Sequence, residues 1–288
     1  MPAVDAGPPL IGARRHTLLV AEDDRQRRTS AAAWVERALS VGEKVFYKGW
    51  HDPAAPSDRH WLAGPDGPRA APEAFRSGQL ELANYADVLS AAGWTNDGVR
   101  KYHTEEIERA FDEGWSSVAM AHETVKREMA DENEAVEVAE HEAGYDVLME
   151  RWPLRVLCQL TVAEENATAT WETVAMHHRD LVDGPWSAGS HDGLWQPRGE
   201  IDAYVARRFG AATVGAMRLA HDHADGPHLH VDLSAVEFID VAAVQMLLLA
   251  ARSAPHGQGV VLHHTPRMVE RLVEAVGRPD TVRYGSGR

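Results

Sequence analysis

Short apolar runs alternate with longer stretches of helical periodicity along most of this chain, and that order constrains its fold more than any other feature. His16-Thr-Leu-Leu-Val20, Lys44-Val-Phe-Tyr47, Gly78–Ala83 and Leu154–Leu160 read as strands in the first part. Leu194–Asp202, Leu229-His-Val-Asp-Leu233 and Gly259-Val-Val-Leu-His263 do so in the second. The helix after the first strand is capped by Asp23 or Asp24, carries Ala32, Val35, Ala38 and Leu39 on one face, and ends at Gly42. Further helices are expected around Gly98–Gly114, Thr124–Met149 and Ala163–Val182. Beyond them come a helix capped by Asp202, the apolar helix Val241–Arg252, and a last helix with Thr265 as N-cap, Pro266 at its first position and Gly277 as its stop. Parallel strands can be joined only by a crossover, so this alternation predicts an α/β protein with a largely parallel sheet.

The chain has 288 residues, which suits two domains of ordinary size. Leu181–Gly193 is rich in Gly, Ser and Pro and breaks both periodicities. Charge divides at the same place: residues 1–185 hold 19 basic and 33 acidic side chains, and residues 186–288 hold 10 and 11. The expected organisation is a first domain over 14–183, a linker over 184–192 and a second domain over 193–285. His51–Gly78, with five prolines and three glycines, reads as a long loop of the functional or mobile kind. Asp131–Glu150 holds eight acids and no Lys or Arg, and reads as a solvated helix face.

A net charge of -15 leaves no surplus of cations for a nucleic-acid backbone or an anionic membrane. Val241–Ala251, the longest near-apolar run, falls short of the roughly 20 residues that span a bilayer. The first residues lack a basic stretch before an apolar core, as a signal peptide would have. The expectation is a soluble, cytoplasmic protein.

Chemistry is harder to find. After the first strand the chain reads Ala21-Glu-Asp-Asp-Arg-Gln-Arg-Arg-Thr-Ser30, with no glycine and with acids where a phosphate would sit, so it holds no phosphate-binding loop. Sixteen histidines include the pairs His177–His178, His221/His223, His228/His230 and His263–His264, none completed by an acid at a recognised ligand spacing. They read as structural or surface histidines, and no metal or cofactor is expected. Cys158 stands alone within an apolar strand, which excludes a disulfide framework and suggests an inert core thiol. No Gly-x-Ser-x-Gly elbow occurs.

In the second part, Asp232-Leu233-Ser234, Phe238-Ile239 and Asp240-Val241-Ala242-Ala243 stand in order, with Gly199-Glu200-Ile201-Asp202 at the first strand-to-helix junction. Over roughly 193–285 this resembles the STAS fold of anti-sigma factor antagonists, an α/β sandwich. The resemblance implies docking to an anti-sigma factor, a serine kinase of the switch type, through Glu200, Ser234, Asp240, Val241 and Ala242. In such antagonists the residue after the Asp is the phosphorylated serine. Here it is Val241, which accepts no phosphate, so the usual off-switch is missing; Ser234 and Thr213 remain as hydroxyls.

The first part carries His16, Gly42-Glu43-Lys44, Gly78-Gln79-Leu80, Tyr85, Glu123, Glu142, Leu157-Cys158-Gln159 and His177. Over about 14–183 this resembles the MEDS sensory family, which looks like a RecA-type parallel-sheet fold without its phosphate loop and is proposed to sense small organic molecules or signals. Leu160 and His178 depart from the Tyr and Pro common there. The resemblance implies a sensory pocket drawn from His16, Glu123, Glu142, Cys158 and His177. Together the two resemblances imply a non-enzymatic regulator, a sensor joined to an output module. Two other readings remain open: a small-molecule- or metal-dependent enzyme using His16, Glu123, Glu142 and His177, and a scaffold that binds partners without switching.

Overall fold

The computed structural model describes residues 15–49, 60–123, 132–161, 167–177, 179–191, 193–220, 228–254 and 257–285. Part of the expected loop from His51, the start of the helix expected at Thr124, the start of that expected at Ala163, and His178, His221 and His223 lie outside these residues. The chain is mixed α/β and divides into two compact units between Asn166 and Ala167.

The first unit contains β1 (Arg15–Ala21), α1 (Asp24–Ser40), β2 (Lys44–Gly49), a 3-10 turn at Trp61–Ala63, α2 (Ala71–Ser77), β3 (Leu80–Asn84), α3 (Tyr85–Ala91), α4 (Asn96–Asp112), β4 (Val118–Glu123), α5 (Glu132–Arg151) and β5 (Leu154–Thr161). Its strands lie in the order β1-β5-β4-β2-β3, all parallel. The cap on α1 is Asp23, whose carboxylate accepts from the Gln26 amide at 2.7 Å, and Gly42 takes a left-handed backbone after the helix ends. The buried face of α1 holds Ala31, Val35, Ala38 and Leu39. Ala31 is buried where Ala32 was expected, in line with Arg27 one turn earlier on the same face. Leu18, Val35, Val45, Ile107, Val118 and Val156 have no exposed surface. Each such aliphatic side chain contributes about 1.5–3 kcal/mol by leaving water.

The second unit contains α6 (Ala167–Met176), β6 (Asp180–Asp183), β7 (Trp186–His191), β8 (Leu194–Ile201), α7 (Ala206–Ala220), β9 (His228–Asp232), β10 (Val236–Ile239), α8 (Val241–Arg252), β11 (Gly259–His263), α9 (Arg267–Val276) and β12 (Val282–Tyr284). Within it the strands run β12-β11-β9-β8-β7-β6, with β10 also beside β8. The pairs β6–β7 and β7–β8 are antiparallel and the others parallel. Phe209 of α7 lies between Trp186 of β7, edge-on at 5.6 Å, and Trp195 of β8, stacked at 5.7 Å.

Three expectations are corrected here. The segment expected as a linker over 184–192 holds a turn and strand β7, because Trp186 is buried and donates to Asp183 at 2.8 Å while small Ser, Ala and Gly residues pair with both neighbouring strands. Tertiary pairing overrides the weak local propensity of that stretch. The helix expected to run to Val182 ends at Met176, and Asp180–Asp183 is a strand. Finally, Pro266 takes the cap position of α9 with no side-chain hydrogen bond, and the buried Thr265 hydroxyl has no partner among the described residues.

Gly199 shows why the second unit needs a glycine at its first strand-to-helix junction. Its φ is +81°, and a Cβ there would lie 2.3 Å from the carbonyl oxygen of Pro185. That kink is where β8 passes from pairing with β7 to pairing with β10.

Candidate functional site

Side chains of successive strand residues point to opposite faces, so one parallel sheet can carry two separate polar clusters. In the first unit Lys48, His122 and Cys158 are register partners on β2, β4 and β5, and they share a face. Glu123 and Gln159, one residue further along, are partners on the other face.

On the first of these faces β5 meets α5. Glu142 and Asp146 are four residues apart on that helix and so project together. His16 of β1 is held between them, Nε2 3.1 Å from Glu142 Oε2 and Nδ1 3.2 Å from Asp146 Oδ1. Its Nε2 also lies 3.4 Å from Cys158 Sγ, and that thiol donates to Glu142 Oε2 at 3.1 Å. Burial opposes a charge on His16, but the hydrogen bonds and charges of Asp146 and Glu142 outweigh it and push its pKa up to about 9. Burial, then the neighbouring Glu142 carboxylate, pushes the Cys158 thiol well above its ordinary value. The expectation that the acidic run merely faces water therefore holds for the exposed Glu140 and Glu150 and fails for the buried Glu142.

Beside this cluster lies a second one on the same face. The Tyr145 hydroxyl is approached by three imidazoles: His141 Nε2 at 3.2 Å, His103 Nε2 at 3.3 Å and His122 Nδ1 at 3.4 Å. Tyr85 reaches His141 Nε2 at 2.9 Å. Lys48, wholly buried, pairs with Glu106 at 2.6 Å, and that carboxylate also meets His103 at 3.2 Å. Burial first, with the Lys48 charge nearby, holds His103 and His122 well below the usual imidazole range. The other ring nitrogen of His122, Nε2, is buried without a hydrogen-bond partner among the described residues.

Glu123 does not join these groups. It sits on the α1 face, accepting from Arg27 at 2.8 Å, Tyr47 at 2.8 Å and Trp61 at 3.2 Å, with Gln159 bonded to the same Arg27 and Tyr47. The expected pocket of His16, Glu123, Glu142, Cys158 and His177 is thus corrected at Glu123. Within the first unit His16, Glu142 and Cys158 converge, whereas strand alternation turns Glu123 away. His177 belongs to the second unit, buried at the end of α6 with its Nδ1 2.7 Å from the Thr173 carbonyl oxygen. Sequence reasoning missed His103, His122, His141 and Tyr145. The available signal was alternation: His122 and Cys158 share a face only once β4 and β5 are known to be neighbours.

In the second unit β8 and β10 run side by side, with Phe238 opposite Glu200. The Asp240 amide donates to the Ile201 carbonyl at 3.1 Å, which sets the two strand-to-helix junctions next to each other. The Asp240 carboxylate caps α8 by accepting from Ala243 at 2.9 Å. Val241 opens that helix and is 48 % exposed, Ala242 is half-buried, and Glu200 is exposed. Two further exposed aromatics belong to this end, Phe238 and Tyr204, at 52 % and 58 %. Ser234 lies apart, beyond the other end of β10. There Asp232 organises the turn, accepting from the Ser234 amide at 2.9 Å, Gln196 at 2.8 Å and His264 at 2.9 Å. Thr213 is fully buried and donates to the Phe209 carbonyl, so its hydroxyl is closed to modification. Of the histidine pairs, His230 and His263 stack and share a 2.9 Å hydrogen bond.

Among the described residues, no helix is long and apolar enough to cross a membrane. A comparison with curated proteins found none that matches this chain. Residues 197–280 match the family described as Mlab, STAS domain, and residues 15–178 match the family described as the methanogen/methylotroph, DcmR sensory domain, MEDS. The chain belongs to the MEDS family and carries a STAS domain after its sensory domain.

Proposed function

We propose that this protein is a non-enzymatic signalling regulator in which the MEDS unit senses a small molecule and the STAS unit docks on an anti-sigma factor, a serine kinase of the switch type, without being switched by phosphorylation at the usual place. The pairing of a sensory domain with a STAS domain supports a regulatory role. The single observation that carries the finer reading is Val241. It stands exposed at the first position of α8, directly after the capping Asp240, where an antagonist would present its serine. At the same end of the unit Phe238 and Tyr204 expose apolar surface that a partner can cover, and Glu200 a charge that can set its orientation. On the sensory side, the buried imidazole and phenol groups around Tyr145 offer hydrogen bonds to a small polar ligand.

Crosslinked affinity purification of the intact protein from its native cells, read by mass spectrometry, tests the partner. A switch-type kinase crosslinked near Asp240 is the expected result; absence of any such kinase sinks the reading. With the partner in hand, Val241→Glu is expected to weaken binding at least 100-fold by burying a charge in the interface. Val241→Ser is expected to become a substrate of that kinase and to lose binding on phosphorylation.

A further inference from the structure

His16 Nε2, Glu142 Oε2 and Cys158 Sγ form a closed triangle with edges of 3.1, 3.4 and 3.1 Å. Two protons at most serve those edges, one on the imidazole Nε2 and one on the thiol, and the carboxylate oxygen accepts both. The 3.4 Å edge between His16 and Cys158 is left with no proton of its own. An arrangement that needs all three edges short is explained better by something at its centre than by hydrogen bonds alone. We propose that His16, Glu142 and Cys158 bind a divalent transition-metal ion of the zinc class.

The donor chemistry and dimensions agree with this. Zinc bonds of about 2.0–2.1 Å to nitrogen or oxygen and about 2.3 Å to thiolate, set at tetrahedral angles, place ligand atoms roughly 3.3–3.6 Å apart. The triangle needs to open by only a few tenths of an ångström to reach that range. Thiolate and imidazole favour zinc-class ions over magnesium or calcium. The far nitrogen of His16 is held by Asp146 at 3.2 Å, the carboxylate–histidine support that orients imidazole ligands in metal centres. All three donors are buried: His16 and Glu142 side chains are 8 % and 6 % exposed, and Cys158 is 2 % exposed. On binding, the protons of the thiol and of His16 Nε2 pass to solvent. This inference goes beyond the regulatory reading and stands whether or not the STAS unit binds a kinase.

Because Cys158 is the only cysteine in the chain, any thiolate-to-metal absorption reports on this site alone. The experiment is a cobalt(II) titration of the full-length protein, free of a histidine tag and stripped with a chelator. One equivalent of cobalt is expected to raise a near-ultraviolet thiolate-to-cobalt band with tetrahedral visible bands, which zinc then displaces and magnesium leaves unchanged. Cys158→Ser is expected to abolish the band, and Asp146→Asn to keep it while weakening cobalt binding about 10–100-fold. Cobalt uptake without a thiolate band, or no uptake below about 100 µM, overturns the proposal; surface histidines would then account for any residual binding. Should Cys158→Ser fail to fold, the native titration decides alone.

Discussion

The two units differ in the polar groups they bury and the apolar groups they expose, although the second also buries the Asp183–Arg208 pair. The first buries Lys48, His103, His122, Glu123, Glu142 and Gln159 inside its sheet layers, each in contact with another polar group. The second fills the layer between β7, β8 and α7 with Trp186, Trp195 and Phe209, and leaves Tyr204, Phe238 and Val241 in solvent. Buried polar groups cost stability unless every one is satisfied, so a fold that keeps so many must pair them inside. Exposed aromatics cost little in the free protein and provide surface for recognition outside. The difference supports the proposed division of labour, with sensing in the first unit and docking in the second.

The largest expected effect tests the apolar layer. Phe209→Ala removes a ring held between two buried tryptophans and is expected to destabilise the second unit by about 3–5 kcal/mol, measured by chemical denaturation. A loss below about 1 kcal/mol would show that this layer collapses around the gap and is less specified than the contacts suggest. The first unit has its counterpart in Arg27, 7 % exposed, whose guanidinium faces Glu123. Arg27→Met leaves that carboxylate buried without its cation and is expected to cost about 3 kcal/mol. Arg27→Met with Glu123→Gln is expected to recover most of the loss. No recovery would mean that the methionine packs badly and that the ion pair is not the cause.

These two contrasts also mark what was legible in the sequence. Strands β1, β2, β3, β5, β8, β9 and β11, a cap at Asp23 or Asp24, the Gly42 and Gly277 stops, and both family resemblances rest on local pattern, and local pattern is what a sequence displays; β4, β6, β10 and β12 were not expected. Strand β7 was not legible, because nothing in Ser187-Ala-Gly-Ser190 prefers a strand until β6 and β8 flank it. The same holds for the site. His16, Glu142 and Cys158 were marked by their motifs, but that Glu123 faces α1 while His122 faces α5 follows from register and alternation, which exist only once the sheet is assembled.

Titration separates the units further. His103 and His122 sit neutral and buried, with folded pKa values well below the ordinary 6.5. For a base held down in this way the unfolded chain binds more protons, so stability falls as pH drops below about 6.5. Glu81 acts in a lower window. Its hydrogen bond to Arg109, with Lys44 adding to it against partial burial, holds its pKa at about 2 against an ordinary 4.5. That contribution is complete above 4.5 and is lost as pH falls towards 2. Hydrogen exchange at pH 7 and pH 5 is therefore expected to show core amides of β2 and β4 losing protection before those of β8 and β9. Glu81→Gln should leave this first loss unchanged and flatten only the later one. Equal losses in both units at pH 5 would mean that His103 and His122 do not dominate, since partial burial, with His230 nearby, also holds His263 of the second unit below the usual imidazole range.

The smallest expected effect on stability carries the sharpest contrast. Phe238 is 52 % exposed on β10, opposite Glu200. Replacing it by alanine removes little buried surface and some strand preference, so Phe238→Ala should change unfolding free energy by less than about 1 kcal/mol. If the aromatic surface beside Val241 is where a partner docks, the same substitution should weaken that complex at least 10-fold. A ring that matters to the complex and hardly to the fold is the reverse of Phe209, and the two alanine variants compared side by side separate docking surface from core. Loss of stability equal to that of Phe209→Ala would place Phe238 in the core instead, and unchanged partner affinity would move the docking surface away from the start of α8.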